Sequence, residues 1–138
     1  MKRRWIWITL ILLLAVSAVV CSDTKGMTVN HVLRHEEQVR AHALACMKQP
    51  DEVVPYRSWE VRYDTVYGVV QFQVQYTGFA SQADELGFYY APENLACGLG
   101  NGPDREDWGN GVKFIGNGDN YTYVEKISDH WYWYEMHW

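Results

Sequence analysis

Two segments in the middle of the chain alternate apolar and polar side chains residue by residue. From Trp59 to Thr65 every second residue is charged, and from Val70 to Tyr76 every second residue is a glutamine. A period of two places alternate side chains on opposite faces of a β-strand, so each segment predicts a half-buried strand. Tyr67-Gly68 lies between them and supplies a turn, so we expect the two strands to pair as a hairpin.

Four shorter segments further along the chain are also predicted to be strands. They are residues 88–91, 112–115, 121–127 and 130–138. Between the first hairpin and these strands, Ser81 to Asp84 resembles a capping box. This pattern predicts a single helical turn that ends at Gly87.

A helical period precedes the strands. From about His31 to Met47 the apolar residues fall within one arc of a helical wheel, which predicts an amphipathic helix that buries one face. Asn30 can cap its first turn, residues 22–29 before it are expected to be loose, and Pro50 ends the helix. One N-terminal helix followed by an antiparallel β-meander predicts an α+β fold, with the helix packed on a sheet of about five to six strands.

The first residues have the layout of a secretory signal peptide. Residues 2–4 are basic, and the 16 residues from Trp5 to Val20 contain no charged side chain. This apolar run is shorter than the roughly 20 residues that a membrane-spanning helix needs. We therefore predict that residues 1–21 are a signal peptide and that residues 22–138 form a single α+β domain. The alternatives are an uncleaved membrane anchor and lipidation at Cys21.

Removing this leader makes the rest of the chain acidic. The full sequence has 12 basic and 17 acidic side chains, and loss of the three basic leader residues leaves a net charge near −8. An acidic surface repels phosphate backbones and anionic lipids, so a nucleic-acid partner is excluded. Membrane contact is expected only through an uncleaved leader or a lipidated Cys21. The predicted location is secreted or periplasmic, with membrane anchoring as the alternative.

Export to an oxidising compartment bears on the two remaining cysteines. Cys46 and Cys97 are left as a pair once Cys21 is removed or lipidated. Small exported domains commonly cross-link such pairs, and closing this loop would stabilise the chain by roughly 4 kcal/mol in the chain-entropy description. We therefore predict a disulfide between Cys46 and Cys97. Two buried free thiols are the alternative.

The tripeptide Gly-Asn-Gly occurs three times, starting at residues 100, 109 and 116. Two copies lie beside predicted strands and have the composition of tight reversals, so we interpret them as turns. The acidic residues nearby lack the alternating spacing of a helix-loop-helix calcium site. An irregular calcium loop that uses Asp104, Glu106 and Asp107 is the alternative. No metal ion or other cofactor is predicted.

Catalytic motifs are not evident in the sequence. His31, His35 and His42 lie near one another on the helical wheel, but the glutamate that marks a zinc protease is missing between the first two. We interpret them as the polar border of the helix. No Gly-x-Ser-x-Gly motif is present, and adjacent carboxylates at turns are usually solvated. No catalytic residue is therefore predicted, and the chain is not expected to be an enzyme.

Aromatic residues are the most distinctive chemistry of the chain. From His130 to Trp138 they occur on both faces of a predicted strand, and the two faces cannot point into the same core. The excess indicates either a partner-binding surface or aromatic packing beneath the helix. The predicted surface lies on the sheet face that the helix leaves open. Its members are aromatic or acidic: Trp108, Trp131, Tyr132, Trp133, Tyr134, Asp104, Glu106 and Asp107.

These features favour a small exported acidic binding protein that acts on another protein of the cell envelope or extracellular space. Inhibitors, immunity proteins and accessory subunits are of this kind, and the acidic residues favour a basic partner. A small-ligand or carbohydrate-binding domain that uses exposed Trp and Tyr is the alternative. A hydrolase is a weaker alternative, because one helix on a sheet can enclose a pocket.

Overall fold

The structure is a computed structural model that describes residues 24–79 and 82–138. The chain divides into two compact units, Met1–His35 and Glu36–Trp138. The signal-peptide prediction for residues 1–21 lies outside the described residues. The unit Glu36–Trp138 carries the sheet, and the single domain over residues 22–138 stays a prediction.

Two helices take the place of the single predicted helix. Helix α1 covers residues 24–34, and helix α2 runs over Glu36–Cys46. Asn30 therefore lies inside a helix and does not cap one, and residues 24–29 are helical where we expected a loose segment. The apolar arc predicted for the second part is confirmed, because Val39, Ala43 and Cys46 are buried. Neither helix within the described residues combines the length and the hydropathy that crossing a membrane requires.

Seven strands form one antiparallel sheet, so the predicted α+β class is confirmed and the predicted strand number is slightly low. In spatial order the strands are β1-β2-β3-β7-β6-β5-β4. Their bounds are β1 Glu60–Asp64, β2 Val69–Phe79, β3 Gln82–Tyr90, β4 Arg105–Trp108, β5 Gly111–Ile115, β6 Tyr121–Ser128 and β7 Trp131–His137. Two meanders, β1 to β3 and β4 to β7, are thus joined through the pairing of β3 with β7.

Two segments differ from the sequence expectation. The predicted helical turn near Asp84 is part of β3, which is hydrogen-bonded to β2 on one side and to β7 on the other. Two full ladders outweigh a local capping pattern, since such a pattern satisfies only the first backbone donors of a helix. Strand β4 was not predicted, because the sequence Arg105-Glu-Asp-Trp108 contains three charged residues and lacks apolar alternation.

The face of the sheet toward α2, called here the helix face, is filled by aromatic rings. Phe72 of β2 stacks on Phe88 of β3 with ring centroids 4.5 Å apart, and Trp131 of β7 lies 5.8 Å from Phe88. His42 of α2 reaches these rings, with its centroid 6.2 Å from that of Phe72. Its Nε2 lies 3.0 Å from the carbonyl oxygen of Val54. Helix α2 is therefore held against β2 by this ring contact and to the segment before β1 by this polar contact.

The other side of the sheet, called here the opposite face, has its own apolar cluster. Its buried members are Val69, Tyr89, Ala91, Leu99, Phe114, Val124, Tyr132, Tyr134 and Met136. Ala91 and Leu99 come from the connection between β3 and β4, which also contributes the partly buried Ala96 and Cys97. The connection therefore covers the opposite face in the way that α2 covers part of the helix face.

The structure differs from the disulfide prediction, because Cys46 and Cys97 are both free thiols. Cys46 is buried on α2, whereas Cys97 packs against the cluster of the opposite face. The Tyr89 hydroxyl accepts a hydrogen bond from the backbone N–H of Cys97 at 3.0 Å, which fixes the chain at that point. Burial raises the pKa of both thiols above the ordinary value.

Candidate functional site

Four of the predicted binding residues are core residues. Trp131, Tyr132, Trp133 and Tyr134 of β7 are all buried. Strand β7 lies in the middle of the sheet, between β3 and β6. Its side chains on the helix face and on the opposite face are both covered. The alternative interpretation, in which the aromatic excess is packing, holds for this strand. These four residues are therefore corrected from surface to core.

The other four predicted residues remain together at the surface. Trp108 is 56% exposed, and Asp104, Glu106 and Asp107 are exposed as well. Three of the four lie on β4, the last strand in the order of the sheet. The predicted surface is thus reduced to one edge of the sheet, and the placement on the face that the helix leaves open is corrected, because Trp108 and Glu106 lie on the helix face.

Strand β4 directs half of its backbone groups away from the sheet. The backbone N–H of Ile115 donates to the carbonyl oxygen of Asp104 at 2.8 Å, and β4 then pairs with β5 from Arg105 through Trp108. In an antiparallel ladder alternate residues point their N–H and C=O groups toward the neighbouring strand. Since Asp104 points inward, Arg105 and Asp107 point outward. Within the described residues no strand pairs with this outer side.

A tight turn fixes the end of β4. Gly109 and Asn110 connect Trp108 to Gly111, and Gly109 has a φ of 60°, in the left-handed region that glycine adopts without strain. The turn interpretation is confirmed for this Gly-Asn-Gly copy. The indole of Trp108 therefore lies at the closed end of the β4–β5 hairpin, whose turn has two residues.

Lys113 of β5 joins the edge to the rest of the helix face. Its Nζ lies 4.7 Å from the ring centroid of Trp108 and 4.4 Å from that of Tyr121 on β6. The same Nζ is 3.8 Å from Oε1 of Glu106. A cation between two rings is attracted to the electron-rich face of each. We call Glu106, Trp108, Lys113 and Tyr121 the edge patch.

Polar contacts continue from the edge patch along the strand ends. The Tyr121 ring stacks on His137 with centroids 4.3 Å apart, and His137 Nδ1 lies 2.5 Å from Oδ1 of Asp84. Burial raises the pKa of Tyr121, and the carboxylates of Asp84 and Glu135 raise it further. The phenol therefore stays protonated at neutral pH. This pair of His137 and Asp84 lies on the sheet surface, with the Tyr121 ring stacked on the imidazole.

Two further side-chain pairs occupy the same face. The Tyr123 hydroxyl donates to Oε2 of Glu125 at 2.6 Å, and Trp133 Nε1 donates to Oε1 of Glu135 at 2.8 Å. Burial is the main cause that raises the pKa of Tyr123, and the hydrogen bond to the Glu125 carboxylate raises this pKa further. Carboxylates on this face are thus used to hold aromatic side chains in place.

The calcium alternative for Asp104, Glu106 and Asp107 does not match their placement. Glu106 and Asp107 are successive residues of a strand, so their side chains lie on opposite faces of the sheet. Glu106 faces Lys113 rather than another carboxylate. Among residues 24–79 and 82–138, no group of three His, Cys, Asp or Glu side chains is arranged to hold a metal ion.

An apolar pocket of about 430 Å³ lies at the turn between β1 and β2. Met47, Tyr63, Tyr67, Leu95 and Cys97 are among its lining residues. Because burial raises the pKa of Cys97, its sulfur is a neutral thiol near neutral pH and not an activated nucleophile. The pocket therefore offers mainly apolar surface, with the Glu93 carboxylate among its lining residues.

A second, polar cleft lies between two Gly-Asn-Gly copies, at residues 100–102 and 116–118. The copy at residues 116–118 forms the turn between β5 and β6, where the backbone N–H of Gly116 donates to the carbonyl oxygen of Asn120 at 2.9 Å. The copy at residues 116–118 was predicted to be a turn, and its proximity to residues 100–102 was not predicted. The sequence signal for this cleft was the asparagine in each copy. It indicates a shared cleft only when the two loops are known to be neighbours.

No protein-family model, no curated protein and no solved structure matches this chain. Its function is therefore inferred from the geometry and chemistry of its own surface.

Proposed function

We propose that the chain is a small exported binding protein that acts on another protein of the cell envelope through the outer edge of β4. The proposal includes inhibitors, immunity proteins and accessory subunits. The observation that carries it is that β4 is exposed at all four residues and ends in the half-exposed Trp108. Export rests on the leader predicted for residues 1–21.

Outward backbone groups support binding of an extended segment. Arg105 and Asp107 present N–H and C=O groups on the outer side of β4, and an extended peptide can add to such an edge as another strand. The other edge of the sheet is less open, because the N–H of Val54 donates to the carbonyl oxygen of Val61 on β1 at 3.0 Å. The β4 edge is thus the better template of the two.

Trp108 supplies the apolar anchor for such a partner. Its ring is held on one side by Lys113 and leaves more than half of its surface accessible. Tryptophan is among the residue types most enriched in binding hot spots, because a large rigid ring buries much area at a small entropic cost. A partner is therefore expected to place an apolar side chain against this indole.

Charge at the edge favours a basic partner. Glu106 is engaged with Lys113, so the acidic character of the edge comes mainly from Asp104 and Asp107. Opposite charges on a partner would speed association at low ionic strength, and salt would screen this effect. Binding is proposed in preference to catalysis, because the polar groups of the edge patch lie on an open strand surface and do not converge in a pocket.

Capture experiments with paired variants test this proposal. The domain would be immobilised and exposed to an envelope extract, and the captured protein identified and then titrated in purified form. Trp108→Ala is expected to weaken binding by roughly tenfold or more, while Trp138→Ala, at another exposed indole, leaves it unchanged. Asp107→Pro removes an outward N–H, whereas Asp107→Ala keeps it, so only the proline variant should disrupt strand addition.

Three results would contradict the proposal. Equal binding by the proline and alanine variants would exclude addition of a strand at β4. Loss of binding in Trp138→Ala but not in Trp108→Ala would place the interface elsewhere. A concentration-dependent dimer that Asp107→Pro dissociates would mean that the edge pairs with a second copy of this chain.

A further inference from the structure

The polar cleft between the two Gly-Asn-Gly copies has the size of a small-molecule site. Its volume is about 520 Å³, within the roughly 300–1,000 Å³ typical of ligand pockets. Side chains from the β3–β4 connection, from β5, from the β5–β6 turn and from the residue after β7 line it. They are Asn101, Asp104, Ile115, Asn117, Asn120 and Trp138.

Asn101 holds the two loops of the cleft together. Its Nδ2 donates to the hydroxyl of Thr122 at 2.6 Å, and Thr122 is fully buried. Its Oδ1 lies directly over Gly116, where any Cβ would collide with it. The glycine therefore allows the close approach of the two loops, since a larger residue at this position would require the Asn101 side chain to move. The cleft is built by these contacts before any ligand is present.

The lining chemistry matches a neutral polyhydroxylated ligand. Asn117 and Asn120 each offer an amide that both donates and accepts hydrogen bonds, and the Asp104 carboxylate accepts them. Lysine, arginine and histidine are not among the lining residues described, and the one charged group is negative. An anion would be repelled by Asp104, while hydroxyl groups could satisfy all three side chains.

Trp138 adds an apolar platform beside these polar groups. The residue is 44% exposed, and its backbone N–H donates to the carbonyl oxygen of Ala83 at 3.0 Å, which fixes the chain after β7. An indole next to amide and carboxylate side chains suits a ring that has one apolar face and a polar rim. A sugar ring has this division of surface.

We propose that this cleft is a binding site for a neutral carbohydrate, with the sugar against Trp138 and its hydroxyl groups on Asn117, Asn120 and Asp104. Calcium is the competing ligand for an oxygen-rich cleft. Calcium sites usually combine several carboxylates, whereas this cleft has one. The cleft and the β4 edge share one residue, Asp104, which lines the cleft and directly precedes β4.

Nuclear magnetic resonance with ¹⁵N-labelled protein tests the proposal. The probes are neutral mono- and tetrasaccharides of hexoses and N-acetylhexosamines, titrated into the millimolar range where single-site sugar contacts are detectable. The expected result is a saturable shift of the Trp138 indole resonance and of the amides around residues 117–120. Trp138→Ala and Asn117→Ala should each weaken the apparent affinity by roughly tenfold or more.

Trp108→Ala is the matched control, because it removes an exposed indole outside the cleft and should leave the sugar titration unchanged. Asp104 is left intact so that the result is independent of partner capture at β4. Unchanged backbone spectra away from the cleft show that each variant is folded. If no sugar of the panel shifts these resonances, or if calcium chloride alone produces the saturable shift, the carbohydrate assignment is overturned. Failure here would leave the β4 proposal standing, and loss of partner capture would not affect the sugar titration.

Discussion

Two regions of the helix face use aromatic residues in different ways. Beneath α2, rings mainly contact other rings: Phe72 stacks on Phe88, and Trp131 packs beside them, while Arg40 of α2 lies over Tyr90 at 6.0 Å. Across β4 to β6, rings contact charged groups instead, as Lys113 lies over both Trp108 and Tyr121. Both regions belong to one continuous sheet, so strand geometry does not explain the difference.

The difference between the two regions is explained by what lies over each of them, a helix in one case and water in the other. Burial beneath a helix removes water, and a charge there would lose its hydration unless it were fully paired. At the edge of the sheet water remains, so a lysine can contact two rings and keep part of its hydration. Aromatic content therefore does not by itself indicate a binding surface. What matters is whether the partner of each ring is another ring or a solvated charge.

The sharpest test of this comparison replaces one tryptophan in each region by alanine. Trp131→Ala should lower the free energy of unfolding by about 3–5 kcal/mol, because it leaves a large cavity among packed rings. Trp108→Ala should lower it by less than about 1 kcal/mol, since the indole is already half in water. Urea unfolding followed by circular dichroism measures both. Similar losses in the two variants would mean that the edge is as well packed as the centre.

Alkaline pH should lower the stability through tyrosines whose pKa is raised, and Tyr134 is the most deeply buried of those that donate to a carboxylate. Burial raises the pKa of Tyr134 well above its usual value of 10.0, and its hydrogen bond to the Glu85 carboxylate raises it further. A raised folded-state pKa gives stability that is present below the unfolded-state value and is lost as the pH rises toward the folded value. The stability should therefore fall above pH 10 by up to about 1.4 kcal/mol per pH unit for this residue.

The matched variants for this pH test are Tyr134→Phe and Tyr67→Phe. Tyr134→Phe should make the stability profile above pH 10 less steep, while Tyr67→Phe, at a partly exposed turn residue, should leave its slope as in the unmodified chain. Unfolding titrations at several alkaline pH values would show the difference. Parallel profiles for all three proteins would remove Tyr134 as the cause.

The smallest expected effect concerns the cation of the edge patch. Lys113→Met keeps the length of the side chain but removes its charge, so the ring contacts and the pairing with Glu106 are lost. The expected loss is about 0.5–1 kcal/mol, and when Trp108 and Tyr121 are both absent it should shrink to the small contribution of the Glu106 pairing. Lys126→Met, which breaks the solvent-exposed pair with Asp129, is the control and should change stability less. Equal effects of the two lysines would argue against a ring contribution.

Much of the sheet could be predicted from period alone. The alternation around Val61 and Phe72 identified β1 and β2, and Tyr67-Gly68 identified their turn, where Gly68 has a φ of 67°. Strand β4 could not be predicted from the period, because an edge strand that is exposed along its whole length has no buried face and therefore no apolar alternation in its sequence. The length of β3 was missed for a related reason, since its first residues gain their strand character only from ladders on both sides.

The candidate sites were predictable to different degrees. Trp108 and its acidic neighbours were identified as surface residues from sequence, whereas Trp131 and Trp133 were not recognised as core, because the position of β7 between β3 and β6 is a property of the topology. No role was predicted for Asn101. Its contact with Thr122 joins loops that are 21 residues apart, which local composition does not reveal.

The sequence by itself determined the local elements of this protein: where strands alternate, where glycines allow reversals, and which face of the second helix is apolar. These follow from interactions between near neighbours, and a short window of residues contains them. Only the tertiary structure decided that β7 is central and β4 is an edge, and that two asparagine-rich loops form one cleft. Burial depends on which distant segments cover a side chain, and the pairing of β3 with β7 sets that arrangement for the whole sheet.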